Sequence, residues 1–185
     1  MKSSLFSLLL LLCLSFLSLP ALAQDETQVQ IISCAKGETV QIAGDLSAGQ
    51  QIPIDWAASS QVACFPATRF VEFQGNHVFY RVELPRYSKI IITVQPEGRK
   101  RINLYGIRQG VNASMQAVPP HVSVAGSCEA GYPIYAGNPN LSKGGDSQSI
   151  EFMAINNPYS ILIGVAGARE VLDGGFTLQV QIADR

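Results

Sequence analysis

His77 and His121 are the only histidines among 185 residues, and imidazole is the usual general base near neutral pH. Both abut stretches of alternating apolar residues, where a histidine reads as a strand-end polar residue rather than as a base. Gly144-Gly145-Asp146-Ser147 brings glycine, aspartate and serine together. However, the strained G-x-S-x-G elbow of an activated serine is absent, and these residue types are ordinary turn chemistry. Fourteen acidic side chains make coincidental carboxylate pairs easy, and none stands in the aromatic setting a glycosidase needs. No glycine-rich phosphate loop occurs. No catalytic residue is expected. A small secreted hydrolase remains the alternative, because triads assemble in space and not along the chain.

Binding chemistry has more to work with. Seven basic residues (Arg81, Arg86, Lys89, Arg99, Lys100, Arg101 and Arg108) fall between positions 81 and 108, against only Glu83 and Glu97. Such a segment could dock an anionic glycan, a lipid headgroup or an acidic protein. The alternative is a solvated hairpin whose Lys and Arg discourage edge-to-edge pairing. Trp56, Phe65, Tyr132 and Tyr135 lie in loop-like sequence, where rings either stack on a ligand or staple the loop to the core. A net charge of −1 argues against a nucleic-acid partner, since phosphate recognition needs a strong positive excess.

The elements that must position these residues follow from two unlike populations. Of seventeen leucines, ten precede residue 24. Lys2, the apolar run Leu5 to Leu19, Pro20 and Ala21-Leu22-Ala23 form the three parts of a secretory signal, with Gln24 as the first mature residue. Cys13 leaves with that signal. A second uncharged stretch, Phe152 to Ala168, contains Asn156-Asn157-Pro158, which hydrocarbon would not tolerate, so no transmembrane span is expected in the mature chain. What remains is one domain of 162 residues over 24–185, with 12 basic and 14 acidic side chains. That is long enough to bury a sizeable core.

Of the cysteines left, Cys34, Cys64 and Cys128, none has zinc-site or CxxC spacing. In an oxidising compartment one disulfide plus one spare thiol is the simplest arithmetic. Cys64–Cys128 is the favoured pairing because both lie in Gly/Ala/Pro-rich sequence, leaving Cys34 at the end of an apolar run as a candidate buried thiol.

Period-two alternation dominates the mature chain. Val78, Tyr80, Val82 and Leu84 point one way, with Phe79, Arg81 and Glu83 opposite. Ile90, Ile92 and Val94 follow, then a turn at Gln95 to Gly98, then Ile102, Leu104 and Ile107. Ile150, Phe152 and Ala154 alternate, as do Tyr159, Ile161, Ile163 and Val165, and finally Phe176, Leu178, Val180 and Ile182. Weaker candidates are Val29 to Ser33, Thr39 to Ala43, Gln51 to Ile54 and Phe70 to Phe73, and the best helical candidate is one turn at Trp56 to Ser59. Ser59 to Thr68 and Ser127 to Gly145 read as irregular loops, and Gly106, Gly110, Gly126, Gly144-Gly145 and Gly174-Gly175 as strand-end turn residues. The pattern predicts an all-β antiparallel sandwich, jelly-roll-like, of 8–10 strands. Sequential strands are expected to be neighbours with one solvated face.

The run Asn76 to Leu84, then Lys89 to Val94, then Ile102-Asn103-Leu104-Tyr105, closing with Pro158 to Val165 and Gly175 to Val180, resembles bacterial pre-peptidase C-terminal domains over residues 74–183. That resemblance implies a jelly-roll-like sandwich, usually non-catalytic, acting beside secreted enzymes, and a bacterial source. Read that way, the sequons at Asn112 and Asn140 carry no glycosylation meaning. Some relatives bind calcium through acidic clusters near the first strands. Here Glu38, Asp45 and Asp55 are scattered with no D-x-D-x-D run, so no cofactor and no metal site is expected. The expected protein is an exported, periplasmic or extracellular, non-catalytic accessory of the cell envelope that binds an unknown protein or glycan. A structural envelope component is the other non-enzymatic reading.

Overall fold

The computed structural model describes residues 28–59, 67–122, 127–133 and 144–185. The signal segment, Cys64, Phe65, Gly126, Tyr135 and the Asn140 sequon lie outside them. Among these residues there are ten strands: β1 (Val29–Ile32), β2 (Thr39–Asp45), β3 (Gln50–Gln51), β4 (Asn76–Leu84), β5 (Ser88–Pro96), β6 (Ile102–Gln109), β7 (Ser127–Gly131), β8 (Gln148–Ala154), β9 (Tyr159–Gly167) and β10 (Gly175–Asp184). They form a six-stranded sheet in the order β1-β4-β9-β6-β7, with β3 also on β4, and a four-stranded sheet in the order β2-β10-β5-β8. The two pack face to face as a sandwich.

The alternating residues define the interior. Val78, Tyr80, Val82, Leu84, Ile102, Leu104, Ile161, Ile163 and Val165 from the larger sheet meet Ile90, Ile92, Val94, Ile150, Phe152, Phe176, Leu178, Val180 and Ile182 from the smaller one. Each fully buried aliphatic side chain contributes about 1.5–3 kcal/mol of transfer free energy. The outer face of the smaller sheet is polar and open, and Gln41 Nε2 donates to Gln179 Oε1 at 3.2 Å across it.

Several expectations are corrected. Sequential strands are mostly not neighbours: β4 pairs with β9, β5 with β10 and β8, and β6 with β9 and β7. The β1–β4 pairing is parallel. Period-two alternation fixes which face a strand buries and carries no information about which strand lies beside it.

Most of the outer face of β4 is not solvated: Phe79 is 1% and Arg81 4% exposed, and Glu83 near the strand's end is open. A second cluster of Ala57, Phe73, Phe79, Tyr105, Ile107, Val118, Leu162 and Ala166 lies there, so β4, β6 and β9 are buried on both sides.

Phe70 to Phe73 is not a strand but part of a 3-10 segment, Ala67–Phe73. Positions three apart coincide in a 3-10 turn, which lets Phe70 and Phe73 both face the second cluster. Of the candidate at Gln51 to Ile54, only Gln50–Gln51 is strand, whereas the turn at Trp56–Ser59 is helical.

Residues 127–131, expected to be irregular, form the edge strand β7. Its small side chains concealed it: a Cβ at Gly131 would lie 3.1 Å from that of Gln148. Gly106, expected at a strand end, sits inside β6, and Phe152 and Ile150 occupy the space a side chain there would take. Gly144, Gly145 and Gly174 do take positive φ.

Candidate functional site

His77 stands on the outer face of β4, 1% exposed. Its Nε2 lies 2.8 Å from the Phe73 carbonyl and its Nδ1 3.0 Å from the Tyr105 hydroxyl. A carbonyl only accepts, so Nε2 carries the proton and Nδ1 accepts from Tyr105. Burial lowers the pKa of His77 to about 4, the Phe73 carbonyl opposing, and burial raises that of Tyr105 well above its usual value. Both groups stay neutral and saturated with hydrogen bonds in a dry cluster. Together they hold the 67–73 segment against β4 and β6.

Tyr105 reaches His77 by lying across Gly164 of the intervening strand, where a Cβ would come 2.2 Å from Tyr105 Cζ. Trp56 and Tyr132 belong to the same cluster. The Trp56 ring is 6.1 Å from Tyr105 and the Tyr132 ring 6.1 Å from Phe73 at 88°, with Arg69 5.4 Å above Tyr132. Of the two roles open to these rings, they take that of stapling the covering segments to the sheet. His121 is exposed, with its backbone in a turn on Val118 O.

The seven basic residues are not brought together. Arg81 is buried and donates to Ser114 O at 3.0 Å, Ala113 O at 3.3 Å and Gln109 Oε1 at 3.2 Å, pinning the 110–118 loop from below. Arg101 pairs with fully buried Glu72, which also accepts from Asn103 Nδ2. Lys89 pairs with Glu151 and Lys100 with Asp173. Arg108 stacks over Tyr159 at 4.7 Å and Arg86 near Tyr87 at 5.9 Å. Lys89 and Arg99 lie toward opposite ends of β5. A positive sequence segment has become a set of separate local pairs.

Sequence reasoning missed a concavity beside β3. An open cleft of about 660 Å³ is lined by Gln51, Ile52, Pro53, Ile54, Asp55, Gln74, Arg169, Glu170 and Leu172. One wall is the extended stretch after β3, and the other is the turn between β9 and β10. That turn is held from several sides. Arg169 N donates to Val71 O at 2.8 Å, Ala168 N to Arg101 O at 3.0 Å and Asn76 Nδ2 to Leu172 O at 2.7 Å. Glu170 takes φ of 69°, the left-handed region, which costs a non-glycine residue about 1 kcal/mol or more. Arg169 Nε donates to Gln74 Oε1 at 2.7 Å, and Gln51 Nε2 to Gln74 O at 2.9 Å. Leu172 is 45% exposed. Arg-Glu-Val-Leu-Asp at 169–173 has no recognisable turn signature, so nothing in the sequence pointed to this wall.

Gly75 and Gly167 fit against the same turn: a Cβ on either would lie 2.1 Å from the Val171 carbonyl. Backbone cannot yield as a flexible side chain can. Gly75→Ala is therefore expected to cost about 2–3 kcal/mol and to free residues 168–172. Amide hydrogen exchange should show faster exchange at Val171, while β5 and β10 stay protected.

Among the described residues no three His, Cys, Asp or Glu side chains group closely enough to hold a metal ion, and no helix is long and apolar enough to cross a membrane. No family model and no curated protein matches the chain. Among solved structures it is similar to the pre-peptidase C-terminal domain of collagenase from Bacillus anthracis, at 13% identity over 84% of this chain and 94% of that one, TM-score 0.38. It is also similar to Aeromonas hydrophila PliG, a periplasmic inhibitor of g-type lysozyme (13% identity, 83% and 95% covered, TM-score 0.41). A third is CorA, a surface-associated copper-binding protein of Methylomicrobium album BG8 (8% identity, 86% and 99% covered, TM-score 0.41).

Proposed function

We propose that the chain is an exported, non-catalytic β-sandwich of the cell envelope that binds a protein or glycan partner through the cleft between residues 51–55 and 169–172. The observation that carries this reading is the rigidity of the cleft wall. A turn braced by Val71, Asn76 and Arg101 and strained at Glu170 presents ligand-facing groups in fixed positions, which lowers the ordering cost of binding. The buried, doubly bonded His77 supports a structural and not a catalytic use of the most reactive side chain in β4.

The test is photo-crosslinking in intact envelopes, with the probe placed at Leu172 and, as control, at Gln181 on the open face of the smaller sheet. Crosslinks concentrated at Leu172 are expected. Equal yield from both positions, or none from Leu172, would overturn the cleft as the binding site.

Export implies oxidation. Cys34 is a free thiol packed at the edge of the main core, and burial raises its pKa. Cys128 on β7 packs against the outer cluster. A Cys64–Cys128 bond would tie the segment after the Trp56 turn to β7, over the same face of the larger sheet, and is expected to stabilise by about 2–4 kcal/mol. Non-reducing peptide mapping should find these two peptides joined and Cys34 alkylated only after unfolding. A disulfide containing Cys34 would reject the pairing.

A further inference from the structure

The charges lining the cleft distinguish between the two partner classes left open by the proposed function, on which this inference rests. Arg169 and Glu170 are adjacent, opposite in sign and exposed, and both line the cleft. Among the described residues neither forms an ion pair, although Lys36, Lys89, Lys100 and Arg101 all do. Arg169 is committed only through Nε, to Gln74. Its planar fork is thereby oriented while the Nη groups stay available, the arrangement that suits bidentate capture of a carboxylate. Glu170 is fixed by its own backbone at φ 69° and carries a carboxylate with no ion-pair partner among the described residues, suited to a lysine or arginine. Apolar Ile52, Pro53 and exposed Leu172 line the same cleft, with amides at Gln51 and Gln74.

Among the described residues no aromatic ring lines the cleft. A sugar ring would find no stacking platform there, and a neutral glycan would leave both charges unused. A single-sign ligand such as a polyphosphate or a polyanionic glycan would meet Glu170 and Asp55 as well as Arg169, and like charges so placed work against binding.

We infer that the cleft receives a peptide segment of a protein partner that carries an acidic and a basic group together. The acidic group sits on Arg169 and the basic group on Glu170, with an apolar side chain of the segment against Leu172 and Pro53. Gln51 and Gln74 can meet its main-chain amides. The charged contacts are exposed, so each is individually modest and weakened by salt. The pair gives orientation more than raw affinity.

The experiment selects a displayed random-peptide library on the folded mature protein. In parallel, neutral chitin and β-glucan oligosaccharides are titrated onto the same protein. Peptides enriched in neighbouring acidic and basic residues are expected, with no oligosaccharide bound. The selected peptides are then measured on the double variant R169E/E170R, which keeps net charge and composition but reverses the order of the charges. A loss of roughly tenfold or more in affinity is expected from two exposed pairs turned to repulsion, with partial recovery for peptides whose own charges are swapped. A third protein, Leu172→Asp, changes the apolar wall and leaves Arg169 and Glu170 in place. Loss of binding with Leu172→Asp but not with R169E/E170R keeps the cleft and rejects the charge-paired peptide. Binding that neither variant affects rejects the cleft itself. Oligosaccharide binding removed by Leu172→Asp assigns the cleft to a glycan and rejects the peptide. Thermal melting of both variants, expected within a few degrees of the parent because the replaced side chains are exposed, separates lost binding from lost fold.

Discussion

His77→Ala is expected to destabilise the protein by about 4 kcal/mol, read as a fall in the denaturant midpoint at unchanged slope. Truncation of a fully buried ring leaves a cavity. It also strands two buried polar groups, the Phe73 carbonyl and the Tyr105 hydroxyl, at about 1–3 kcal/mol for an unsatisfied group. The same residue sets a pH response. Its pKa is about 4 in the fold and about 6.5 in the unfolded chain. Between these values the unfolded chain binds a proton that the native protein refuses, so stability falls as pH is lowered from about 6.5 to about 4. The loss totals about 3 kcal/mol and changes little further below that window. Urea titrations between pH 7 and pH 5, above most carboxylate titrations, should show this slope in the parent and not in His77→Ala. A parent whose stability is flat over that range would mean the ring is not held neutral. A variant within about 1 kcal/mol of the parent would mean the Phe73–His77–Tyr105 chain is not what fastens the covering segment.

The second large effect is expected at Gly164. Its missing side chain is replaced in space by the Tyr105 ring, three of whose atoms lie 2.2–2.6 Å from where a Cβ would be. That ring cannot slide away cheaply. Its hydroxyl is bonded to His77, and Phe73 and Phe79 meet it edge-on at 5.8 Å and 6.4 Å, with Trp56 at 6.1 Å on another side. Gly164→Ala should cost about 3 kcal/mol by overpacking, or about 6–12 °C in Tm for a chain of this size. Near-ultraviolet circular dichroism should report the altered Trp56 and Tyr105 surroundings. Combining Gly164→Ala with Tyr105→Leu provides the internal control. If the ring is the obstacle, the two losses are strongly non-additive and the double variant costs less than their sum. Simple additivity would place the strain elsewhere on β9.

These two residues show where the sequence was legible. The inward faces of β4, β5, β8, β9 and β10 follow from alternation alone, because a side-chain period of two puts Val78, Tyr80, Val82 and Leu84 on one side whatever lies beside them; in β6, Ile107 breaks the period of Ile102 and Leu104 and packs in the outer cluster. Fold class followed from the same signal. By contrast, Phe79 and Arg81 read as the solvated alternates, and they are buried. Alternation reports one apolar face, and the cover on the other face comes from Trp56, Ala57, Phe70, Phe73, Val118 and Val122, in segments with no period-two pattern. Gly164 looked like any glycine in an apolar run until the neighbouring strand supplied Tyr105.

For the candidate site, the chain determined the charges and only the tertiary structure decided their use. The excess of basic residues between positions 81 and 108 is a property of composition. Folding spends it on separate partners, since Glu72, Glu151 and Asp173 reach Arg101, Lys89 and Lys100 from distant positions. Arg169 and Glu170 carry no motif and lie more than a hundred residues from Gln51 to Asp55, so no local pattern could join them. They form a cleft because β9 lies beside β4 while β3 pairs with the start of β4, a non-local strand order. By itself the sequence determined the inward faces of the main strands and an all-β class. Packing two sheets and a covering layer then decided which charges are paired off inside the fold and which stay open to a partner.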